Sequence, residues 1–215
     1  MNSLDGVMIV GLTGQTGAGK STVSRVFVEN GFHLIDADVI SRMVVRPGSR
    51  CLAELRECFS DGILCPDGEL NRHALATVAF SDHNKLEMLN TIMYPYIVGE
   101  ILEMIHRLAA QNYKRILLDA PTLFESRADD FCDLIISVVA DPMTRKNRIM
   151  QRDHLSEMAA IQRMQVQLSD TFFREHSDTV LENNGSFEEL ICAAQELCSK
   201  IIRYHEMKYS AEIYV

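Results

Sequence analysis

Apolar residues follow two patterns along this chain: short unbroken runs, and longer stretches in which they recur every three or four positions. Val7-Met8-Ile9-Val10-Gly11-Leu12, Arg115-Ile116-Leu117-Leu118-Asp119 and Leu134-Ile135-Ile136-Ser137-Val138-Val139-Ala140 are of the first kind. Runs this short, without polar alternation, suit strands buried on both faces of a parallel sheet. Phe32-His33-Leu34-Ile35, ending at Asp36-Ala37-Asp38, and the shorter Thr179-Val180-Leu181-Glu182 read as two further strands. Helical spacing begins at Ser21, with Val23, Val26 and Phe27 on one face, and returns over 71–79, 83–111, 142–151, 156–167 and 186–207. In the stretch 83–111, Leu86, Leu89, Ile92 and Met93 share a face that Ile97, Ile101, Leu102 and Ile105 continue, and Pro95 between them predicts a kink or break. The last helix carries Phe187, Leu190, Ile191, Ala194, Leu197, Ile201 and Ile202 on one stripe. After the second strand the chain reads as polar and irregular, with turns at Pro47-Gly48 and Asp67-Gly68. Strands alternate with helices, which predicts an α/β fold: a mostly parallel sheet with helices on both faces.

The first strand and first helix are joined by Gly14-Gln15-Thr16-Gly17-Ala18-Gly19-Lys20-Ser21, a complete G-x-x-x-x-G-K-[ST] loop. The glycines let the backbone curl so that N–H groups point at phosphate oxygens. Lys20 reaches the β- and γ-phosphates, and the Ser21 hydroxyl holds Mg²⁺. Strand, loop and helix in this order put phosphates on a helix N-terminus, where the macrodipole favours anions.

Composition narrows the class. A length of 215 residues suits one α/β domain with insertions. No run of 18 apolar residues occurs, and the start Met1-Asn2-Ser3-Leu4-Asp5-Gly6 lacks the basic residues of a signal peptide. Six cysteines form no C-x-x-C pair, which fits reduced thiols and a cytoplasmic location. The seven-residue spacing of Cys51, Cys58 and Cys65 repeats one helical face, with Cys65 in the turn before Pro66. A net charge of −9 argues against a nucleic-acid surface, so binding of a polyanionic ligand requires basic residues concentrated locally. The seven histidines show no ligand-like spacing.

Three further groups carry candidate chemistry. Asp36 and Asp38 stand at the end of the second strand, and open α/β sheets bind ligands beyond the carboxyl ends of their strands. A phosphoryl acceptor needs a carboxylate to take its hydroxyl proton, although Asp38 can equally cap a helix beginning at Val39. Asp119 ends the third strand and reads either as a carboxylate on the Mg²⁺ side, acting through water, or as a strand-end residue capping the turn before Pro121. Arg145, Lys146, Arg148, Arg152 and Arg163 form the densest basic stretch. Arg145, Arg148 and Arg152 share a helical face, which is either solvated or part of a lid that neutralises phosphoryl charge and excludes water.

Taken in order, these segments resemble the dephospho-coenzyme A kinase family. The resemblance is carried by Gly11 to Gly14 with Lys20-Ser21-Thr22, by Ile35-Asp36-Ala37-Asp38 with Ile40 and Arg42, and by Pro47-Gly48. Asp67-Gly68-Glu69-Leu70-Asn71-Arg72 with Leu75, then Pro121 with Leu123-Phe124-Glu125, continue it. Arg148 with Gln151-Arg152-Asp153, and Arg163, Gln167, Asp178 and Asn183-Asn184-Gly185, complete it. The resemblance implies a phosphate-loop NTPase-type three-layer fold with a five-stranded parallel sheet. It implies a single kinase domain over 1–215, with a core of about 6–38, 114–142 and 178–215, a helical acceptor-binding insertion of about 39–113 and a lid of about 143–176. It implies transfer of the ATP γ-phosphate, with Mg²⁺, to the ribose 3′-hydroxyl of dephospho-CoA, the last step of coenzyme A synthesis, by a monomer or small homo-oligomer.

Carried over by position, Asp38 is the general base, with Asp36 close to the acceptor or metal. Gly14, Gln15, Thr16, Gly17, Ala18, Gly19, Lys20, Ser21 and Thr22 bind the nucleotide phosphates, and Ser21 and Asp119 serve the metal. Arg148 and Arg152 match lid arginines, Asn183 and Gly185 the adenine-side segment, and Arg42, Arg72, Tyr94 and Pro95 the acceptor side. The chain departs from the family pattern at Gln15-Thr16, which are variable loop positions. It also departs at Tyr94, where the family usually has a histidine that can carry charge, and at Thr122 in place of leucine. The rival readings are another phosphate-loop small-molecule kinase, shikimate- or nucleoside-kinase-like, and a nucleotide switch. Shikimate kinases carry a glycine-rich acceptor motif with a Gly-Gly pair that this chain lacks. Asn84-Lys85-Leu86-Glu87 superficially resembles a guanine-reading segment, but no D-x-x-G accompanies it.

Overall fold

A computed structural model describes Leu4 and residues 6–210 of the chain, without the Ser210 side chain. Met1 to Ser3 and Asp5 of the leader reading, and 211–215 of the core range, lie outside the described residues.

Five strands form one sheet: β1 (Met8–Gly14), β2 (His33–Asp36), β3 (Arg115–Asp119), β4 (Leu134–Val139) and β5 (Thr179–Glu182), in the order β2-β3-β1-β4-β5. β1 pairs parallel with β3, with Leu12 opposite Asp119, and parallel with β4, with Gly14 opposite Val138. β4 pairs parallel with β5. All seven residues of β1 are buried, as an apolar run without alternation requires of a central strand. The chain leaves β1 first toward β2 and later returns to β4 on the other side. That makes the carboxyl end of β1 the switch point where such sheets bind ligands.

The helices are α1 (Lys20–Glu29), α2 (Ala37–Met43), α3 (Arg50–Phe59), α4 (Arg72–Ala79), α5 (His83–Ala110), α6 (Pro142–Asp153), α7 (Glu157–Gln165), α8 (Asp170–His176) and α9 (Phe187–Ser210). By its contacts the chain forms two compact units, Met1–Ile35 with Leu108–Val215, and Asp36–Arg107. In the first, α1 packs on α9: Val23, Val26 and Phe27 join Leu190, Ala194, Cys198 and Ile201 and the inner residues of β1, β3 and β4 in one core. The second unit has its own core of Val45, Cys51, Leu55, Phe59, Ile63 and Leu75, extended by Leu89, Ile92, Met93 and Tyr96 of α5.

Several local expectations are corrected. The stretch expected to be irregular after the second strand holds two helices, α2 and α3. Ser49 Oγ accepts the Leu52 N–H (3.2 Å) and starts α3, whose Cys51, Leu52, Leu55 and Phe59 form a buried face. Cys51 is buried and Cys58 exposed, so the seven-residue spacing does not keep both on the buried face of α3. Helix α8 was absent from the hydrophobic pattern because, of its seven residues, Phe173 is the buried one; Ser169 caps it through the Phe172 N–H (3.1 Å). α5 runs unbroken through Pro95. A proline removes one N–H from the ladder, and here the apolar faces on both sides of it are packed, with Ile92 and Met93 before and the buried Ile97 and Ile101 after. The Cys65–Gly68 turn is as expected, closed by Gly68 N–H to Cys65 O (3.0 Å) and followed by an antiparallel bridge of Leu64 with Leu70.

Candidate active site

The phosphate loop leaves β1 at its buried end and enters α1 through Gly19. Gly19 adopts φ 105°, and a Cβ there would lie 2.4 Å from Asn183 Nδ2, so the position has room for hydrogen alone. α1 has no side-chain cap and no acidic residue in its first turn. Helix starts ordinarily satisfy their first N–H groups with a capping oxygen and favour Asp or Glu nearby. Leaving both out keeps the positive end of α1 available to an anion.

Around the loop stand side chains from β3, α6 and the end of β5. Lys20 Nζ is ion-paired with Asp119 Oδ1 at the end of β3, and both side chains are largely buried. Ser21 is exposed in the first turn of α1. Asn183, 6% exposed, donates from Nδ2 to Ala18 O (2.7 Å). Arg148 Nη1 donates to Gly17 O (3.4 Å) and Asn183 O (3.3 Å). Gly185 follows Asn184 in the turn before α9, whose first N–H groups are met by a reciprocal cap: Ser186 N–H to Glu189 Oε2 (2.7 Å) and Glu189 N–H to Ser186 Oγ (3.1 Å).

Asp36, not Asp38, caps α2. One Asp36 oxygen, Oδ1, accepts the N–H groups of Asp38 (2.8 Å) and Val39 (3.2 Å). β2 therefore ends at Asp36, and Asp38 sits exposed in the first turn of α2 rather than at a strand end or a cap. Arg42 in the last turn of α2 and Arg72 at the start of α4 are exposed. Tyr94 is half-buried and Pro95 exposed in mid-α5. The first unit thus gathers the loop, Lys20, Ser21, Asp119, Arg148 and Asn183, while Asp36, Asp38, Arg42, Arg72, Tyr94 and Pro95 belong to the second. Asn84 to Glu87 lie inside α5, unlike a base-reading loop.

The three arginines of α6 part company. Arg145 is buried and Arg148 half-buried against the loop. Arg152 is exposed and holds Asp153 with two bonds of 2.8 Å, and Asp153 also accepts from Arg163 (2.8 Å). Those arginines draw the Asp153 carboxyl below its ordinary range, the hydrogen bond from Arg152 foremost. Sequence reasoning missed how closely Gln167 serves the loop. Its Oε1 accepts the Thr16 N–H (3.1 Å) and its Nε2 donates to Thr16 Oγ1 (2.9 Å), a contact between positions 151 apart. Thr13, whose Oγ1 donates to Pro121 O (3.3 Å), was also missed; a buried threonine inside an apolar strand was the available signal.

A parallel sheet with a phosphate loop at its switch point, an uncapped helix beyond it and basic residues from a later helix define a phosphate-loop phosphotransferase. The dephospho-CoA kinase family profile matches residues 8–189. A dephospho-CoA kinase of Arabidopsis thaliana is 39% identical over 182 residues, covering 85% of this chain and 78% of that protein. A crystal structure from Thermus thermophilus superposes with a TM-score of 0.76 at 29% identity, over 90% of this chain and 97% of that one. A dephospho-CoA kinase from Campylobacter jejuni gives 0.65 at 25% identity, over 93% and 96%. The chain belongs to the dephospho-CoA kinase family. Its activity is the ATP-dependent phosphorylation of dephospho-CoA to coenzyme A. No described helix is long and apolar enough to cross a membrane.

Proposed function

We propose that the γ-phosphate of ATP, seated over residues 14–22, is transferred to the ribose 3′-hydroxyl of dephospho-CoA with Asp38 as general base. The observation that carries the nucleotide half is the start of α1: a glycine-rich loop, no capping side chain and no acid in the first turn. Lys20 and the loop amides bind the β- and γ-phosphates, and Thr22 continues that first turn. Asp38 is favoured over Asp36 because the Asp36 oxygen that accepts two backbone N–H groups is committed to starting α2. Asp36 keeps its second oxygen for the acceptor side.

Mg²⁺ fits the donor set. Among the described residues no group of three or more His, Cys, Asp or Glu gathers as a cage. Mg²⁺ needs none, since it takes one or two protein oxygens and completes its octahedron with water and phosphate oxygens. Ser21 and Asp119 would hold it, the latter through water, and bound there it neutralises charge shared between the phosphates. Arg148 and Arg152 belong to a lid of about 143–176. Asn183 and Gly185 border the adenine side. Arg42, Arg72, Tyr94 and Pro95 serve an acceptor-binding insertion of about 39–113. A cytoplasmic setting accords with six free cysteines.

The test is incubation of the purified protein with ATP, Mg²⁺ and dephospho-CoA, following coenzyme A by mass spectrometry beside a Lys20→Ala control. Product that depends on Lys20 is expected. Lack of product from a folded protein that binds ATP would redirect the search to other hydroxyl acceptors, beginning from Tyr94.

A further inference from the structure

Two loop carbonyls, those of Thr16 and Ala18, are each held from outside the loop by a buried side chain. Arg145 Nε donates to Thr16 O (3.1 Å) and Asn183 Nδ2 to Ala18 O (2.7 Å). In a trans peptide the C=O and the following N–H point in opposite directions, and the described chain has no cis peptide bond. Anchoring these carbonyls therefore turns the N–H groups of Gly17 and Gly19 to the opposite side of the loop, as a phosphate cradle requires.

The Thr16 anchor is the more elaborate one. Gln167 takes both the N–H and the hydroxyl of Thr16, and Arg145 Nη2 donates to the same Gln167 Oε1 (3.3 Å). The backbone N–H, backbone C=O and side chain of Thr16 are thus all held by two residues. Gly17 lies against α6 itself: it has φ +81°, and a Cβ there would lie 2.9 Å from the Arg145 carbonyl oxygen. Arg145 is 4% exposed, and its guanidinium is bonded to two neutral oxygens. Burial lowers its pKa from the ordinary arginine value, against a raising influence from Asp170. Its neighbours on α6 differ, with Arg148 half-buried and Arg152 exposed.

We propose that Arg145 is a positioning residue which, with Gln167, sets the Thr16–Gly17 peptide so that the Gly17 N–H faces the nucleotide phosphates, and that its charge does not act on the transferred phosphoryl group. This rests on residues 14–21 being the nucleotide phosphate site. A donor of the right reach then suffices in place of a cation. Glutamine supplies one, because its Nε2 is as many bonds from Cα as arginine's Nε, whereas methionine fills similar space without a donor.

The experiment compares wild type, Arg145→Gln and Arg145→Met by calorimetric titration with ADP, together with kcat and both KM values. Arg145→Met is expected to weaken ADP binding and raise the KM for ATP by about tenfold, as loss of a buried hydrogen bond implies, with the KM for dephospho-CoA unchanged. Arg145→Gln is expected to stay within about threefold of wild type in ADP affinity and kcat, about half a tenfold step. A glutamine variant as impaired as the methionine one, or one that binds ADP normally with kcat collapsed, would overturn the proposal by showing that the charge is needed. So would a methionine variant with wild-type ADP affinity. If Arg145→Met does not fold, Gln167→Leu takes its place: weaker ADP binding is expected, and wild-type affinity rejects the proposal. The ADP titrations need the loop alone, so a wild type that binds ADP without phosphorylating dephospho-CoA would remove the assigned acceptor and leave this comparison intact.

Discussion

Lys20, the first residue of α1, is ion-paired with Asp119, the last residue of β3. Asp119 lies opposite Leu12 in the sheet register, two residues before the loop begins at Gly14. The pair therefore ties the helix that follows the loop to the strand beside the one that precedes it. It also places a carboxylate next to the lysine assigned to the phosphates.

That neighbourhood gives Asp119 a testable role. Asp119→Asn keeps the size of the side chain and removes its charge. Loss of an outer-shell partner typically costs 10–100-fold in metal affinity or activity, so the Mg²⁺ concentration for half-maximal rate is expected to rise by roughly tenfold or more. The check is a Mg²⁺ titration at saturating ATP and dephospho-CoA. An unchanged Mg²⁺ requirement with a lowered kcat would take Asp119 out of the metal's surroundings and leave it a partner of Lys20.

Asp36 and Asp38 should fail differently. Asp38→Asn is expected to lower kcat by ~10²–10⁴-fold with little loss of folding. Asp36→Ala removes the cap of α2 and is expected to cost about 1 kcal/mol of stability, read from denaturant unfolding. Near-normal turnover in Asp38→Asn would reject it as the base.

Arg152 is exposed, and a surface pair such as the one it makes with Asp153 costs little to break. Arg152→Ala is expected to reduce kcat more than it raises the KM for ATP, the signature of an interaction made in the transition state. Steady-state kinetics decide this, and a loss of ATP affinity with kcat intact would make Arg152 a ground-state contact.

Gly19 has both a left-handed backbone and a neighbour that excludes a Cβ. Gly19→Ala is expected to displace Asn183 from the Ala18 carbonyl and weaken ADP binding by more than tenfold. An unsatisfied buried carbonyl costs about 1–3 kcal/mol. Wild-type ADP affinity in that variant would mean the loop shifts freely at this position.

Thiol chemistry should separate five of the six cysteines. Burial pushes Cys132 up to about 12, and Cys51 and Cys198 up to about 11. A raised thiol pKa favours the protonated form in the folded state. The stabilisation is complete below the unfolded value of about 8.5 and is lost as pH rises through the folded values. Unfolding midpoints are therefore expected to fall between about pH 9 and 11. At pH 8, iodoacetamide followed by peptide mass mapping is expected to label the exposed Cys58 and Cys192 first. The half-buried Cys132, its thiol held protonated, should react more slowly, and the buried Cys51 and Cys198 in denaturant. Rapid labelling of Cys51 or Cys198 in the folded protein would reveal local opening around them.

The sequence by itself determined the strands, the phosphate loop and the family, because each is a local pattern. Arg115–Asp119 was readable to the residue, since a buried parallel strand needs an apolar run and little else; Thr179–Glu182 was readable too, from its β-branched residues, although Leu181 is its one buried position. Lys20 and Ser21 were readable because their spacing from the glycines is fixed by the loop's own backbone. Tertiary structure decided which groups answer one another. The cap of α2 went to Asp36 because the helix starts at Ala37, two positions earlier than an Asp38 cap would require. Pro95 stayed inside α5 because packed faces on both sides outweigh one missing hydrogen bond. Arg145, Arg148 and Arg152 look equivalent at helical spacing, yet their depth against the loop separates a buried anchor from an exposed arginine. Gln167 meets Thr16 across 151 positions, a contact without local signature, since polar groups far apart in sequence find each other only when the sheet and helices have closed the path between them.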